Sequence, residues 1–434
     1  LGSGLAAMML PGLSCSRNVM TPLPNIVLIY TDDQGYGDVS ALNPEAKVQT
    51  PHIDRLVHEG LTFTDGHAPD TVCTPSRYGL LTGRYSWRTR LKQGVMGAEG
   101  ACLIPDGRLT LPSLLKQQGY QTAMIGKWHL GMQFAGDKGE NRDWNQPVQD
   151  GPVEKGFDYF YGISASMNYG VLTYIENRRV TKPPVLWTAK KHNRHAINDY
   201  RIMPPYEEGS NLNNFEYLNR IPLDVAPDFK DSEVISVITD TAVDWLDSVN
   251  ANSDRETPFF LYLPYTSPHK PVCPTECFQG KSDAGWYGDF MMETDYHVGR
   301  ILERLDRHGF AENTMVIFTS DNGPETTYRK RKDLHQHSSN GQLKGGKRDL
   351  YEGGHRVPFL IRWPEKIRAG RRCDEPVCQT DLLATFADIL GEDISPDAGE
   401  DSFSLLPALI SDDFPRPLRG PIIHHSSRGY FAIR

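Results

Sequence analysis

The chain has 434 residues, of which 38% are hydrophobic and 23% charged, and a formal net charge of −9 at pH 7. This length allows one large domain and a smaller unit, and the composition is ordinary for a globular protein. The negative net charge argues against a nucleic-acid-binding protein, because such domains are usually basic. A local basic pocket can still capture a small anion.

Residues 1–15 are small and apolar, and the polar residues 16–18 follow them. The pattern predicts that residues 1–20 are the remnant of a secretory signal, so that the protein is periplasmic or secreted, in a bacterium. Two alternatives are a lipoprotein signal that ends at Cys15, although Gly12 stands where an aliphatic residue is usual, and a flexible apolar tail. No later segment is long and apolar enough to span a bilayer, so no integral membrane association is expected.

Strands and helices alternate along the following chain. The continuous apolar run 25–31 predicts a buried strand, and Thr50-Pro51 opens a helix that ends at Glu59. Further predicted helices are 110–118, 232–248 and 289–307, and further predicted strands are 120–125, 258–263 and 315–319. This alternation predicts an α/β fold in which polar residues that follow the strands collect at one edge of the sheet.

The remaining segments are less regular. Residues 141–231 are polar and rich in Pro, Asn and Tyr, which predicts long loops and short hairpins beside the mouth of a site. Residues 429–434 are typical of a strand in mid-course, which predicts a truncated C-terminal end. Seven cysteines are too few for a disulfide scaffold, although the pairs Cys273/Cys277 and Cys373/Cys378 could each form a local bridge.

The most specific motif is the segment 73–83, Cys-Thr-Pro-Ser-Arg-Tyr-Gly-Leu-Leu-Thr-Gly. At every fixed position it resembles the signature of type I sulfatases in the alkaline phosphatase superfamily, Cys-x-Pro-Ser-Arg followed by Leu-Thr-Gly. In that family a formylglycine-generating enzyme or an anaerobic sulfatase-maturating enzyme oxidises the cysteine to formylglycine, whose hydrated aldehyde is the nucleophile. The resemblance implies this role for Cys73; the alternative is a buried structural cysteine beside a helix start.

Two pairs of residues with oxygen-bearing side chains follow predicted strands. Asp32-Asp33 and Asp321-Asn322 resemble the two metal-binding pairs of the family, with residue 73 as a further ligand. Hard oxygen ligands suit Ca²⁺ better than zinc, which prefers nitrogen and sulfur. The resemblance therefore implies a calcium cofactor.

Further motifs supply cations and histidines. Gly-Lys-Trp-His-Leu-Gly at 126–131, Ser-Pro-His-Lys-Pro at 267–271 and Gly-Gly-Lys at 345–347 are similar to family elements. By that resemblance Lys127, Lys347 and Arg77 would neutralise the sulfate oxygens, His269 would protonate the leaving alcohol and His129 would act as base. Two histidines can divide these tasks because imidazole titrates near neutrality. Glu352 and Arg356 are expected to form an internal ion pair or to support the loop.

Residues 156–162 and 166–177 resemble a segment of bacterial carbohydrate sulfatases, similar to N-acetylgalactosamine-6-sulfatase-like arylsulfatases. Asn168 and His337 are the candidate substrate contacts, although many relatives carry an acidic residue and prolines where this chain has residues 168–170. The basic run 329–332 is either a solvated loop or a rim that attracts a polyanionic sugar.

The sequence therefore predicts a sulfatase/alkaline-phosphatase-like α/β sandwich, with a large central mixed sheet flanked by helices. Residues 22–395 would form the catalytic domain, and residues 396–434 the start of a small, truncated C-terminal subdomain. The expected activity is hydrolysis of sulfate esters, with a sulfated carbohydrate as substrate. The alternatives are a phosphate or phosphonate monoester hydrolase of the same superfamily and a non-catalytic relative that binds sulfated glycans.

Overall fold

The computed structural model describes residues 22–137, 141–189, 191–192, 200–201, 207–208, 222–252 and 256–434. The predicted signal segment, with Cys15, lies outside the described residues, and so does most of 190–221. None of the helices in the described ranges is long and apolar enough to cross a membrane.

The strands are numbered in chain order. They are β1 Asn25–Thr31, β2 Leu61–Phe63, β3 Gly66–His67, β4 Gln121–Lys127, β5 Tyr159–Ile163, β6 Ile175–Glu176, β7 Arg179–Val180, β8 Leu186–Ala189, β9 Lys191–His192, β10 Tyr200–Arg201, β11 Glu207–Glu208, β12 Pro222–Val225, β13 Phe259–Pro264, β14 Thr314–Ser320, β15 Phe359–Arg362, β16 Arg371–Cys373, β17 Val377–Cys378, β18 Ile423–His425 and β19 Phe431–Ile433. The α-helices are α1 Pro51–Glu59, α2 Cys73–Thr82, α3 Leu111–Gln117, α4 Val234–Asn252, α5 Gly285–Arg307, α6 Tyr328–His335, α7 Glu352–His355, α8 Leu382–Leu390 and α9 Leu406–Ile410.

A ten-stranded mixed sheet forms the centre, in the order β16-β2-β15-β14-β1-β13-β4-β5-β6-β7. The five neighbours from β14 to β5 run parallel, and β15, β6 and β7 join as antiparallel partners. The carboxyl ends of the parallel strands therefore meet at one edge of the sheet. This edge carries the residues discussed below.

Helices cover both faces of the sheet because its strands bury alternate residues on opposite sides. Val27 and Ile29 of β1 belong to a core cluster that includes residues of α1, α4 and α5. Ile26, Leu28 and Tyr30 belong to the opposite cluster, with residues of α2, α3, α8 and α9. A strand buried on both faces explains the continuous apolar run in the sequence.

The helices and strands predicted from the alternating pattern are present, with ends that differ by a few residues. The prediction of loops was wrong for 159–163, which forms β5 beside β4 in the central sheet. Gly162 opposes Gly126 here, and a Cβ on Gly162 would lie 1.8 Å from the carbonyl oxygen of Gly126. The glycine that weakens the strand pattern in the sequence is thus required by the close approach of two backbones.

The C-terminal residues form a two-stranded sheet of β18 and β19, which agrees with the strand expected at the chain end. The six cysteines in the described ranges are free, so neither local pair forms a bridge.

Candidate active site

Four adjacent parallel strands present polar side chains at their carboxyl ends. Asp32-Asp33 follow β1, Asp321-Asn322 follow β14, His129 follows β4, and His269 follows β13. Helix α2 begins at Cys73, whose Sγ lies 3.3 Å from Asp32 Oδ1 and 3.3 Å from Lys347 Nζ. The structure therefore brings the separate motifs to one place.

The Cys73 thiol is fully buried beside carboxylates. Burial, and then the charges of Asp32 and Asp321, raise the pKa of this thiol well above its usual value. A protonated thiol is a weak nucleophile. An unmodified cysteine at this position is therefore poorly suited to attack an ester.

The acidic residues form a compact, fully buried group. Asp33 accepts a hydrogen bond from Asn322 Nδ2 at 2.8 Å, and its backbone N–H donates to Asp321 Oδ1 at 3.1 Å. Burial and the neighbouring charge of Asp32 raise the pKa of Asp321 to about 7. Asp33 Oδ2 and Asn322 Oδ1 are buried oxygens that make no hydrogen bond to any residue that the structure describes. Crowded carboxylates with free oxygens are what a divalent cation with oxygen ligands requires.

Three basic side chains surround this group. Lys127 Nζ contacts Asp32, and Lys347 Nζ contacts Asp33. Arg77 donates from Nη2 to Asp321 Oδ2 at 3.0 Å and from Nη1 to the Lys127 carbonyl at 3.0 Å. These residues are at most 4% exposed, so their charges act with little screening by water.

His129 has a defined tautomer. Its Nε2 lies 2.9 Å from the Met96 carbonyl oxygen and must donate to it, whereas its buried Nδ1 has no hydrogen bond within the described part of the chain. Burial, followed by the charges of Lys127 and Arg77, lowers the pKa of His129 well below its usual value. The neutral ring therefore offers a free lone pair at Nδ1.

His269 lies on the other side of the acidic group. Its Nδ1 lies 2.5 Å from the Lys270 carbonyl oxygen, and its Nε2 lies 3.7 Å from Asp33 Oδ2. Burial lowers the pKa of His269 to about 4, although Asp32 and Asp33 act in the opposite direction. The ring is thus neutral at pH 7 in this structure.

A family model described as sulfatase matches residues 24–392. The N-acetylgalactosamine-6-O-sulfatase of Bacteroides thetaiotaomicron is 33% identical, over 94% of this chain and 82% of that protein. The chain belongs to the sulfatase family. Human steryl-sulfatase is 32% identical, over 89% of this chain and 69% of that protein.

A solved structure from Bacteroides thetaiotaomicron, described in connection with the metabolism of multiple glycosaminoglycans, superposes with a TM-score of 0.80 at 31% identity. The match covers 95% of this chain and 86% of that one. The predicted family and fold class are confirmed, and this sulfatase belongs among the sulfuric ester hydrolases. The resemblance found in the sequence therefore extends over nearly the whole chain.

The proposed substrate contacts of the sulfatase differ in their surroundings. Asn168 lies beside Tyr169, whose ring packs against His129 with 5.0 Å between centroids. His337 is fully buried, with Nε2 2.7 Å from Asp38 Oδ1 and Nδ1 accepting from the Lys47 backbone at 3.1 Å. Both ring nitrogens make hydrogen bonds within the protein, to Asp38 and to the Lys47 backbone. In this structure His337 therefore holds these two segments together and has no free nitrogen for a substrate.

The basic run 329–332 lies in helix α6, so the expected loop is wrong. Arg331 is buried, donates to Ser339 Oγ and lies over the Tyr287 ring, whereas Arg329, Lys330 and Lys332 are exposed. The expected ion pair between Glu352 and Arg356 is present at 2.9 Å.

Two residues near the site, Gln34 and Met96, were not identified from the sequence. Gln34 is buried next to Asp33, and neither of its side-chain polar atoms has a hydrogen bond among the described residues. Its position directly after the Asp-Asp pair could have indicated it. Met96 orients His129 through its backbone carbonyl, for which no side-chain pattern exists.

Proposed function

We propose that this sulfatase hydrolyses sulfate esters of a sulfated carbohydrate, using formylglycine formed from Cys73 and a bound calcium ion. The observation that carries the proposal is the position of Cys73, at the start of a helix and within 3.3 Å of both an acidic and a basic side chain. The thiol is buried and protonated, so conversion of this residue supplies a reactivity that the cysteine lacks. A maturation enzyme would carry out this conversion.

The calcium ion would be held by Asp32, Asp33, Asp321 and Asn322. The buried oxygens of Asp33 and Asn322 that lack a hydrogen bond among the described residues, and the raised pKa of Asp321, support this assignment. When bound, calcium would acidify the hydrated aldehyde and help to neutralise sulfate oxygens. No nitrogen-rich ligand set of the kind that zinc prefers occurs among these four residues.

The side chains of the protein supply the remaining charge. Lys127, Lys347 and Arg77 surround the nucleophile and would bind the non-bridging sulfate oxygens. Positive groups fixed before the reaction stabilise developing charge without reorganisation, and this effect accounts for much of the rate enhancement in many enzymes. All three side chains already make contacts that fix their direction.

The two histidines would divide proton transfer. The free Nδ1 of neutral His129 suits a base, which removes a proton from residue 73 when sulfate is released. His269 would protonate the leaving alcohol. Because its pKa is about 4 with no anion bound, its protonation depends on the negative charge that the substrate brings.

The substrate class rests on the relatives. The N-acetylgalactosamine-6-O-sulfatase of Bacteroides thetaiotaomicron is similar over most of both chains, which supports a sulfated sugar. Export to the periplasm or the medium is consistent with such a polyanionic substrate.

A panel of defined sulfated mono- and disaccharides tests this proposal, with N-acetylgalactosamine 6-sulfate among them and paired aryl sulfate and aryl phosphate as references. We expect the largest kcat/KM on a sulfated sugar and much slower hydrolysis of the phosphate. Turnover confined to the aryl phosphate would contradict the proposed activity. Turnover of steryl or aryl sulfates with no sugar hydrolysed would leave a sulfatase but exclude the carbohydrate substrate.

A further inference from the structure

A buried cluster of three histidines lies outside the residues assigned to catalysis. His67 at the end of β3, His355 at the end of α7 and His424 in β18 are at most 4% exposed. One ring nitrogen from each can be chosen so that all three lie within 4.8 Å of one another. The cluster is formed by three segments that are far apart in the sequence.

The hydrogen bonds of two rings fix where their protons lie. His67 Nε2 is 2.8 Å from Asp65 Oδ1, and His355 Nε2 is 3.0 Å from the Leu350 carbonyl oxygen. Burial opposes ionisation of Asp65, but its hydrogen bond to His67 and the nearby charges outweigh burial and lower its pKa to about 2. Both partners are therefore acceptors, and each Nε2 must carry a hydrogen.

This leaves the two Nδ1 atoms facing each other at 2.9 Å. Two lone pairs repel at this distance unless a positive species lies between them. That species is either a shared proton or a metal ion. Two nitrogens that bind one tetrahedral zinc ion lie about 3.4 Å apart, so the present spacing needs only a small adjustment.

His424 supplies the observation that favours a metal. Neither of its ring nitrogens has a hydrogen bond among the described residues, although the side chain is buried. A buried imidazole without a partner is costly. The ring stacks on His355 with centroids 3.6 Å apart, so it must turn to share an ion, and no hydrogen bond holds it in its present orientation.

We propose that His67, His355 and His424 bind one zinc ion. Neutral imidazoles are suitable zinc ligands, and the contact of His67 with Asp65 is the carboxylate–histidine–metal arrangement of many zinc sites. The ion is distinct from the proposed calcium, whose ligands are oxygens. It would join β3, which leads into the helix of Cys73, to the C-terminal strand pair.

The charges around the cluster are compatible with this ion. Asp65 and Glu352 are paired with Arg356 and Arg434, so the outer shell is balanced. Burial, together with the neighbouring charge of His67, lowers the pKa of His355 to about 3. Burial also lowers the pKa of His424 from its usual value.

The test is zinc titration of the purified protein by calorimetry with saturating calcium, alongside cobalt titration followed by visible absorption. We expect about one equivalent of zinc and cobalt bands of nitrogen coordination. His424→Gln and His355→Gln should abolish both, Asp65→Asn should weaken binding roughly 10–100-fold, and exposed His58→Gln should change nothing.

Wild-type protein that binds no more zinc than His424→Gln would overturn the proposal. The positive species between the Nδ1 atoms of His67 and His355 would then be a shared proton. Cobalt bands of thiolate coordination would overturn it as well, because they would place the ion at Cys73. If a histidine variant does not fold, the cobalt spectrum of the wild-type protein decides, since nitrogen bands must appear there.

Discussion

At the scale of single residues, three unusual backbone conformations lie at or beside the proposed catalytic groups. Asp33 and His129 have φ values of 65° and 61°, and Arg348, which follows Lys347, has a φ of 80°. Non-glycine residues adopt this left-handed region at a cost of about 1–3 kcal/mol and tend to do so at functional sites. Asp33 and His129 thus hold these conformations in the site before a substrate binds.

The division of labour between the histidines gives the first prediction. A sugar alcohol is a poor leaving group that needs a proton, whereas a nitrophenolate leaves unaided. His269→Ala should therefore reduce kcat/KM roughly 10²–10⁴-fold on a sulfated sugar and much less on nitrophenyl sulfate. His129→Ala should impair both substrates, because its proton transfer at residue 73 is common to them.

Steady-state kinetics of both variants on both substrates measures this difference. Equal losses on the two substrates for His269→Ala would count against its role as the acid. If His129→Ala instead spared the nitrophenyl ester alone, the two roles would be exchanged.

At the scale of elements, β5 positions the residues that follow β4. The backbone N–H of Trp128 donates to Ile163 at 3.0 Å, and that of His129 donates to Ser164 at 2.9 Å. These bonds depend on the close approach of β4 and β5 at Gly126 and Gly162. Gly126 and Gly162 thus influence the site indirectly, because they allow the strand pairing that positions the backbone of His129.

Gly162→Ala should push β5 away from β4, because the new methyl group meets a backbone carbonyl that cannot rotate away. We expect a loss of about 1–3 kcal/mol in the free energy of unfolding together with a lower kcat. Chemical denaturation and kinetics measure both. Gly97→Ala is the matched control, since Gly97 is exposed and a Cβ added there would meet nothing within 4 Å. Equal effects of the two substitutions on stability and kcat would refute this explanation.

Helix α5 stabilises the start of α1 through Asp295. Its Oδ1 accepts from the backbone N–H groups of His52 at 3.0 Å and Ile53 at 2.8 Å. Burial raises the pKa of Asp295 to about 7, and the nearby charge of Asp54 acts in the same direction. The folded state therefore binds a proton here that the unfolded state releases near pH ~4.

The contribution of Asp295 to stability should fall as the pH rises from about 4 to 7. Asp295→Asn keeps the accepting oxygen and cannot ionise, so it should gain stability relative to the wild type across this window. Denaturation of both proteins at several pH values measures the difference. A difference that is constant from about pH 4 to 7 would show that Asp295 does not titrate in this range.

The sequence predicts the site better than it predicts the sheet. The proposed catalytic residues lie in short local motifs, and the convergence of strand ends predicts that Asp32 and Asp321 lie close together. Cys73 joins them from the start of helix α2. The place of β5 depends on pairing with β4, which no local pattern reveals. The burial of His337 and the tautomer of His129 likewise depend on partners that are distant in the sequence.

At the scale of the whole molecule, an acidic protein concentrates buried positive charge at one edge of its sheet. Lys127, Lys347 and Arg77 are balanced there by Asp32, Asp33 and Asp321. A calcium ion would leave the basic groups free to bind sulfate. The metal and the substrate are thus expected to depend on each other.

Chelation should therefore abolish activity, and added calcium should restore it. Asp321→Ala should reduce both calcium affinity and kcat/KM by more than the roughly 10–100-fold typical of residues that only support a metal ligand. Exposed Asp397→Ala is the control. Metal analysis and kinetics test this, and full activity of Asp321→Ala, or of the chelated enzyme, would exclude calcium at this site.

The proposed mechanism requires residue 73 to act as formylglycine. Peptide mass analysis of the active enzyme tests it most directly, with Cys73→Ala, which should fold but lack turnover, as the reference. We expect the peptide containing residue 73 to be lighter by about 18 Da than the peptide with cysteine, and activity to scale with the converted fraction. Full activity in protein whose residue 73 is entirely an unmodified thiol would contradict this mechanism.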